Sequence, residues 1–465
     1  MIIVGAGPTG LTLGAALARR RHRVVAVDRD PGPAPDGSWQ RRGVMQFEQA
    51  HGFRPQVHDL LLAEWPEAWR AWLDLGAEPV ELPAPGASSP AIGLRSRRST
   101  YERALRRAAA DVDGLTVATG RVVGLAEEAG RVVGAVIGGS THRADLVVDA
   151  SGRLSRLAPP PEIGGDTGMA YVSRTFQRSG GLPPGPMASP FAWSGQFHGY
   201  DSYVFPHEHG HISVVLIRPT ADAEFGVLRN LDAFEAACRA IPGLAIWTDP
   251  QVTTPTSGVI VGGGLRNAYR PQVGRPGLVA VGDAVATTAP TAGRGLAMAS
   301  MQIGALLELF DAGAGPATIA DAFGTWCDTW MRPWVEDHLA FDAETVLRWQ
   351  GHDVDLGQPL TSAAIVAAAQ GDPRIESKVA PFLAMAALPA SLTDAEQMAR
   401  AVYETGWRPP TADGPTRDEL VALALRAHPH RRVMTARSGR ALPLRRRQTP
   451  TPLSPHPPTI TDERR

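Results

Sequence analysis

The first thirty residues, MIIVGAGPTGLTLGAALARRRHRVVAVDRD, constrain the fold more than any other stretch. Ile2, Ile3 and Val4 are a short β-branched run, and Gly5, Gly7 and Gly10 fill the pattern G-x-G-x-x-G. Leu11, Leu13, Ala15, Ala16 and Leu17 then supply the apolar face of a helix, and Val24, Val25, Ala26 and Val27 form a second buried strand that ends at Asp28. Each glycine has its own physical reason. The first permits the tight turn, the second lets a pyrophosphate approach the backbone, and the third lets helix and strand pack closely. Unpaired N–H groups and the macrodipole at the helix N-terminus both favour phosphate there. Asp28, 18 residues beyond Gly10, is positioned to accept hydrogen bonds from both hydroxyls of a ribose. Strand, glycines, helix, second strand and acid agree on a dinucleotide-binding unit, and at this point NAD and FAD satisfy it equally.

The rest of the chain must be large enough to use such a unit. Its 465 residues accommodate two or three domains, and a net charge of −1 leaves no general basic footprint for nucleic acid. Cys238 and Cys327 lie far apart with neither metal nor redox spacing, which points to a reducing, cytoplasmic setting. The N-terminus has no charged leader segment and spends its apolar residues on the first strand, so it does not read as a signal peptide. No run approaches the roughly 20 apolar residues that span a bilayer.

After Asp28 comes a Pro/Gly-rich loop carrying Arg41 and Arg42, which in a nucleotide fold lies beside the cofactor. From 53 to 82 the spacing of Leu60, Leu61, Trp65, Trp69, Trp72 and Leu73 predicts a helix with tryptophans used for packing. Ser99 and Glu102 are spaced as a capping box that opens another helix, with Arg98 just before it. Strand-like runs at 115–118, 132–137 and 144–148 follow, the last leading into Asp149-Ala-Ser-Gly-Arg153. Residues 166–256 alternate apolar and polar positions between Gly/Pro turns, which reads as an antiparallel sheet with one embedded helix. His207, His209 and His211 alternate there as if along one strand face; with no further ligand cluster nearby, a solvated face outweighs metal ligation. The chain then forms a strand at 278–281, a turn with Asp283, and a helix of small and apolar residues over 295–310. Residues 311–426 read as helical, either a cap over a pocket or a dimer surface. The Pro- and Arg-rich tail at 427–465 has too little apolar periodicity to fold.

Three motifs together, GAGPTG with Asp28, DASGR at 149–153 and GDAVATTAPTAGRG at 282–295, resemble the FAD-dependent monooxygenase superfamily over residues 1–310. That superfamily includes aromatic hydroxylases, epoxidases, flavin halogenases and geranylgeranyl reductases. The resemblance implies an α/β fold: a Rossmann-like FAD-binding domain in three parts (1–55, 91–165 and 257–310), a helical insertion at 56–90, an inserted antiparallel substrate domain at 166–256, and the C-terminal helical region. It implies that Gly5, Gly7 and Gly10 hold the pyrophosphate and Asp28 the adenosine ribose. Arg98 would contact the cofactor, Asp283 would bind the ribityl chain, and Pro290, Gly293 and Gly295 would set amides beside the flavin pyrimidine ring. Arg42 would serve the cofactor or the pocket, and Tyr171 and Arg174 the pocket, with no residue singled out as catalytic. The implied activity is transfer of one oxygen atom from molecular oxygen to an apolar or aromatic small molecule by way of a C4a-(hydro)peroxyflavin. Electrons would come from NADPH or NADH, directly or through a separate flavin reductase.

Two departures shape that expectation. The middle motif of the aromatic hydroxylases ends Ala-Asp-Gly, whereas this chain has Ala150-Ser151-Gly152, which weakens a self-sufficient NADPH enzyme. Flavin halogenases carry a lysine near the flavin and a W-x-W-x-I-P stretch; here the stretch is absent and the sole lysine, Lys378, falls among the C-terminal helices. An FAD-dependent alkene reductase of the geranylgeranyl reductase type and a non-catalytic flavoprotein subunit are the competing readings.

Overall fold

The computed structural model describes residues 1–41, 43–83, 88–179, 185–272 and 274–428. Arg42 and the tail from 429 onward therefore lie outside the described residues. Five parallel strands form the central sheet in the order Leu278–Ala280, Val147–Asp149, Ile2–Val4, Val24–Asp28, Leu115–Thr119. Because side chains alternate along a strand, its two faces bury different partners. Ile3, Val148 and Val279 join the helical core with Leu13, Leu17, Leu105 and Ile303. Ile2, Val4, Val147 and Leu278 meet Val132 and Ala135 of an antiparallel meander, Val122–Glu128, Arg131–Ile137 and Ser140–Arg143. Segments more than a hundred residues apart thus end side by side at the carboxyl edge of one sheet, where α/β folds place their ligands.

The second sheet is antiparallel. Its ordered core is Trp193–Phe197, Tyr200–Pro206, His211–Pro219 and Met169–Arg178, and Thr253–Pro255 and Ile260–Gly262 pair along the outer side of Met169–Arg178. One face packs on helices Leu231–Ala240 and Arg417–Ala427 through Val172, Phe176, Phe234 and Leu420. Helices Gly295–Asp311, Ile319–Trp330 and Arg332–Trp349 begin the C-terminal helical region. Among the described residues no helix is long and apolar enough to cross a membrane.

Three local expectations are corrected. The single helix expected over 53–82 is two helices, Pro55–Glu64 and Pro66–Asp74, followed by a strand, Glu78–Leu82. Pro66 has no N–H to continue the first helix, and Gly76, at φ +95°, ends the second. Trp65 and Trp72 are fully buried packing residues, and the Trp72 indole donates to Ser96 Oγ at 2.9 Å. The histidines at 207, 209 and 211 share no strand face, because Glu208–Gly210 is a tight turn with His209 at φ +57°. Among the described residues no group of His, Cys, Asp or Glu is arranged to hold a metal.

The third correction concerns the capping box. Helix Arg98–Ala109 receives no cap from Ser99 and Glu102. Its N-terminus is capped from the other domain. The fully buried Glu208 carboxylate accepts from Arg97 N at 2.8 Å, from Arg97 Nε at 2.7 Å and from Thr100 Oγ1. Burial pushes this carboxyl up, but Thr100 and Arg97 outweigh burial and hold it below its ordinary value. A carboxyl depressed in the folded state supplies stability while ionised and loses it as the pH falls through its folded pKa. Glu208→Gln is therefore expected to cost about 3 kcal/mol at neutral pH, read by urea unfolding, with the gap to the parent closing in acid. A gap that does not change with pH would contradict this assignment.

Candidate functional site

The glycine turn is crowded on two sides and open on the third. A Cβ on Gly5, at φ +105°, would lie 2.5 Å from the Ala150 carbonyl oxygen, and one on Gly10 would lie 1.9 Å from that of Gly5. Neither collision is relieved by moving a side chain, so both positions require glycine. A Cβ on Gly7 would meet only Arg41 Nη1, at 3.7 Å. Helix Pro8–Arg19 starts beyond Gly7 with no side-chain cap, and its first backbone bond runs from Leu11 N to Gly7 O at 2.9 Å. The amides of Thr9 and Gly10 belong to the uncapped first turn, whose N–H groups have no intrahelical acceptor.

A ladder of alternating charge lies beside this turn. Asp28 Oδ2 accepts from Ala6 N at 2.9 Å and from Arg41 Nη2 at 3.0 Å, and Asp28 Oδ1 accepts from Asp30 N at 2.9 Å. Arg41 also donates to Glu102, which accepts from Arg98 Nε at 2.7 Å. Burial disfavours the Arg41 charge, and Glu102 and Asp28 more than compensate, so its pKa is raised. Arg98 in turn faces Asp283: burial pushes that carboxyl up, and Arg98, Arg153 and Arg270 hold part of the rise back. Asp283 sits in the turn Gly282–Ala284, and a Cβ on Gly282, at φ +70°, would lie 2.9 Å from Thr9 Oγ1. The second acidic motif is therefore packed on the first glycine helix.

The P-x-x-G-x-G segment forms the turn Pro290–Ala292, Gly293 in the left-handed region at φ +62°, and helix Gly295–Asp311. A Cβ on Gly295 would meet nothing within 4 Å, so the start of this helix is also open. Beneath it the turn is braced. Arg54 donates to Ala292 O at 2.8 Å and to Leu383 O at 2.7 Å, and burial lowers its pKa to about 10, with Arg294 adding to the effect. Arg294 donates to Asp337 at 2.6 Å and lies over the rings of Trp334 and Phe382. Neither arginine nor Asp337 stands out in the sequence, because their partners are distant along the chain.

Tyr171 and Arg174 fall on opposite faces of strand Met169–Arg178. Tyr171 is buried with Tyr203, Val215, Ile217 and Trp349, and burial pushes its phenol well above the ordinary value. Ser173, on the same face, donates to Gln49 at 2.7 Å. Arg174 points the other way, toward helix Leu231–Ala240, and is spent on Glu235 at 2.6 Å and Ser257 O at 2.9 Å. A cavity of about 590 Å³ lies between the segment 40–48 and this sheet. Val44, Met45, Phe47, Ile212 and Ile260 give it apolar walls, but most of its lining is polar, with Arg41, Glu48, Arg97, His207 and His211 joined by glutamine, serine and threonine side chains. Burial lowers the His207 pKa to about 4, which makes it a neutral group there.

In the middle motif, Asp149 is fully buried and accepts from Ser151 N at 3.0 Å, Ser151 Oγ at 2.6 Å and Ser155 Oγ. Ser151, itself exposed, thus ties the end of strand Val147–Asp149 through a local hydrogen bond.

Residues 3–58 match a family model described as an NAD(P)-binding Rossmann-like domain. No curated protein matches the chain. Among solved structures it is similar to the flavin-dependent brominase Bmp2, at 16% identity and a TM-score of 0.61, over 87% of this chain and 98% of that one. It is also similar to the anhydrotetracycline hydroxylase OxyS from Streptomyces rimosus, at 17% identity and a TM-score of 0.56, over 82% and 75%. The myxobacterial chondrochloren halogenase CndH gives 17% identity and a TM-score of 0.52, over 92% and 95%. At these identities the likeness establishes architecture: the chain shares the fold of these structures, built on an N-terminal Rossmann-like unit.

Proposed function

We propose that this protein is an FAD-dependent monooxygenase that transfers one oxygen atom from molecular oxygen to an apolar or aromatic small molecule. The observation that carries the reading is the convergence of two open, uncapped helix starts, at Gly7 and at Gly295, with Asp28 and Asp283, on the carboxyl edge of one parallel sheet. An ADP moiety needs only the first helix start and Asp28. The second acid and second helix start need a longer ligand with its own polar chain and ring.

The residues fit FAD in chemistry as well as spacing. The amides of Thr9 and Gly10 bind the pyrophosphate across Gly7, with Arg41 as the adjacent cation. Asp28 keeps acceptor capacity for ribose hydroxyls, since each carboxylate oxygen takes more than one donor. Asp283, facing Arg98, would accept from the ribityl hydroxyls. Amides at the start of helix Gly295–Asp311 would serve the pyrimidine part of the ring and favour negative charge there. Bound FAD supplies the redox chemistry; the chain supplies orientation, electrostatics and a site from which water is excluded. The cavity beside segment 40–48 is within the size range of small-molecule sites, and its apolar residues together with its many polar ones suit an aromatic substrate that carries polar groups.

The position of Lys378 favours oxygen transfer over halogenation: it lies exposed on helix Glu376–Leu383. Ser151, standing where aromatic hydroxylases carry aspartate, favours electrons arriving from NADPH or NADH through a separate reductase.

Purified protein reconstituted with FAD is expected to be yellow. After anaerobic reduction, admission of labelled oxygen with aromatic candidates is expected to place the label in the product. Transfer of the reducing equivalents to substrate without oxygen would identify an alkene reductase instead. Reoxidation no faster than free flavin, with no small molecule bound, would identify a non-catalytic subunit. Asp283→Ala is expected to weaken FAD binding by about tenfold or more, the loss of one charged hydrogen-bonding group, and Ser151→Ala by less, both read by flavin fluorescence titration. Equal affinity in the two variants would break the assignment of Asp283.

A further inference from the structure

The turn that precedes helix Gly295–Asp311 rests on a buried acid that, among the described residues, has no cation of its own. Asn267 accepts from Ala289 N at 2.7 Å through its oxygen and donates through its nitrogen to Asp342 Oδ2 at 2.7 Å. On the same helix as Asp342 and one turn earlier, His338 Nε2 lies 3.4 Å from Thr291 Oγ1 and 3.6 Å from Asp342 Oδ1. Both ends of the Ala289–Thr291 segment are thus connected to one side chain. Asp342 is buried, and among the described residues its Oδ1 has no close hydrogen-bond partner, the Thr291 hydroxyl being the group that faces it. The groups that face it are Asn267, Thr291, His338, Arg294 and, from the antiparallel sheet, Tyr171. Arg294, the only full cation among them, is already paired with Asp337. His338 is no counterion either, since burial lowers its pKa to about 3, with Arg294 adding to the effect. An ionised carboxylate in such a place has no charge to balance it, which is costly.

We propose that Asp342 is a positioning residue that binds a proton when negative charge arrives at the start of helix Gly295–Asp311, and so couples reduction of the bound cofactor to proton uptake beneath the turn. The inference rests on the FAD reading above. The electrons come from a reduced nicotinamide or dithionite, the extra proton comes from solvent, and reoxidation returns it. Burial raises the Asp342 pKa to about 7, against the opposing pull of Asn267, Arg294 and Thr291, which brings its titration near neutral pH. Added negative charge on the far side of the turn raises it further. Proton uptake on reduction then occurs at and above about pH 7 and vanishes in acid, where Asp342 already carries its proton.

The test compares midpoint potentials of FAD-loaded parent and Asp342→Asn from pH 5.5 to 8.5. The parent potential is expected to fall more steeply than that of the variant above pH 7, leaving the variant higher at pH 8.5 and equal at pH 5.5. Parallel curves would overturn the proposal. Glu344→Gln serves as control: this acid also has its pKa raised by burial to about 7, but it faces Arg348, so its variant is expected to track the parent. A second measurement needs no variant to fold. The reduced-minus-oxidised infrared difference spectrum of the parent at pH 8 is expected to gain a protonated-carboxyl band that shifts down in deuterium oxide, and its absence would overturn the proposal. A parent with no flavin absorbance after reconstitution would instead remove the FAD reading, and that is seen before any potential is measured.

Discussion

The fold depends on one crowded corner where three chain segments touch through glycine. Gly5 lies against Ala150, Gly10 lies against Gly5, and Gly282 lies against Thr9, each too close for a side chain. Those contacts place the ends of strands Ile2–Val4, Val147–Asp149 and Leu278–Ala280 together. More than a hundred residues separate each pair of these segments, so what lies between must leave the sheet and return to it. The meander at 122–143 covers one face of the parallel sheet, and the antiparallel sheet stands beyond its carboxyl edge. The long excursions between these strands are a consequence of joining distant strand ends at a single point.

Close backbone approach also explains the buried charges. A side chain at Gly7 would have filled the space that Arg41 now borders. With that arginine inside, Asp28 and Glu102 are needed to neutralise it, and Arg98 is needed to balance Glu102 and Asp283. Buried ion pairs gain little net stability, and removing one member leaves the other uncompensated. An alternating ladder meets that difficulty by giving each internal charge two opposite neighbours. It also keeps cations beside both acids that a dinucleotide would use, which is where an incoming diphosphate needs them.

Much of the fold and half of the site were legible because they rest on local backbone demands. Glycines at 5, 10, 282 and 293, acids at strand ends and the Pro290 turn leave signatures within a few residues of themselves. Contacts between distant segments leave none. Glu208 capping the helix at Arg98, Arg54 holding Ala292, and Asp337 holding Arg294 join positions from 40 to more than 200 residues apart. Arg41 and Arg42 are adjacent in a loop without periodicity, so sequence alone had no means to choose between them. Tyr171 and Arg174 are different, since residues three apart on a strand face opposite ways and alternation already separated them. For the histidines the error was the assumed strand; the Gly210 in His-Glu-His-Gly-His, at φ +75°, marked a turn.

The C-terminal helices read in sequence as a cap or a dimer surface, and their contacts within the chain also make them a strut. Helix Arg332–Trp349 holds the Pro290 turn through Trp334, Asp337, His338 and Asp342 at one end. At its other end Arg348 and Trp349 both donate to Asp201 on the antiparallel sheet, at 2.8 Å and 3.1 Å. Farther along, Arg417 binds Asp222 at 2.6 Å, and helix Arg417–Ala427 packs on the back of that sheet. A lid would cover the cavity and leave its width free to vary. Rigid helices bonded to both the turn and the sheet hold the two apart at a set distance. The position of the helix start at Gly295 relative to the cavity wall is then set by residues that touch neither.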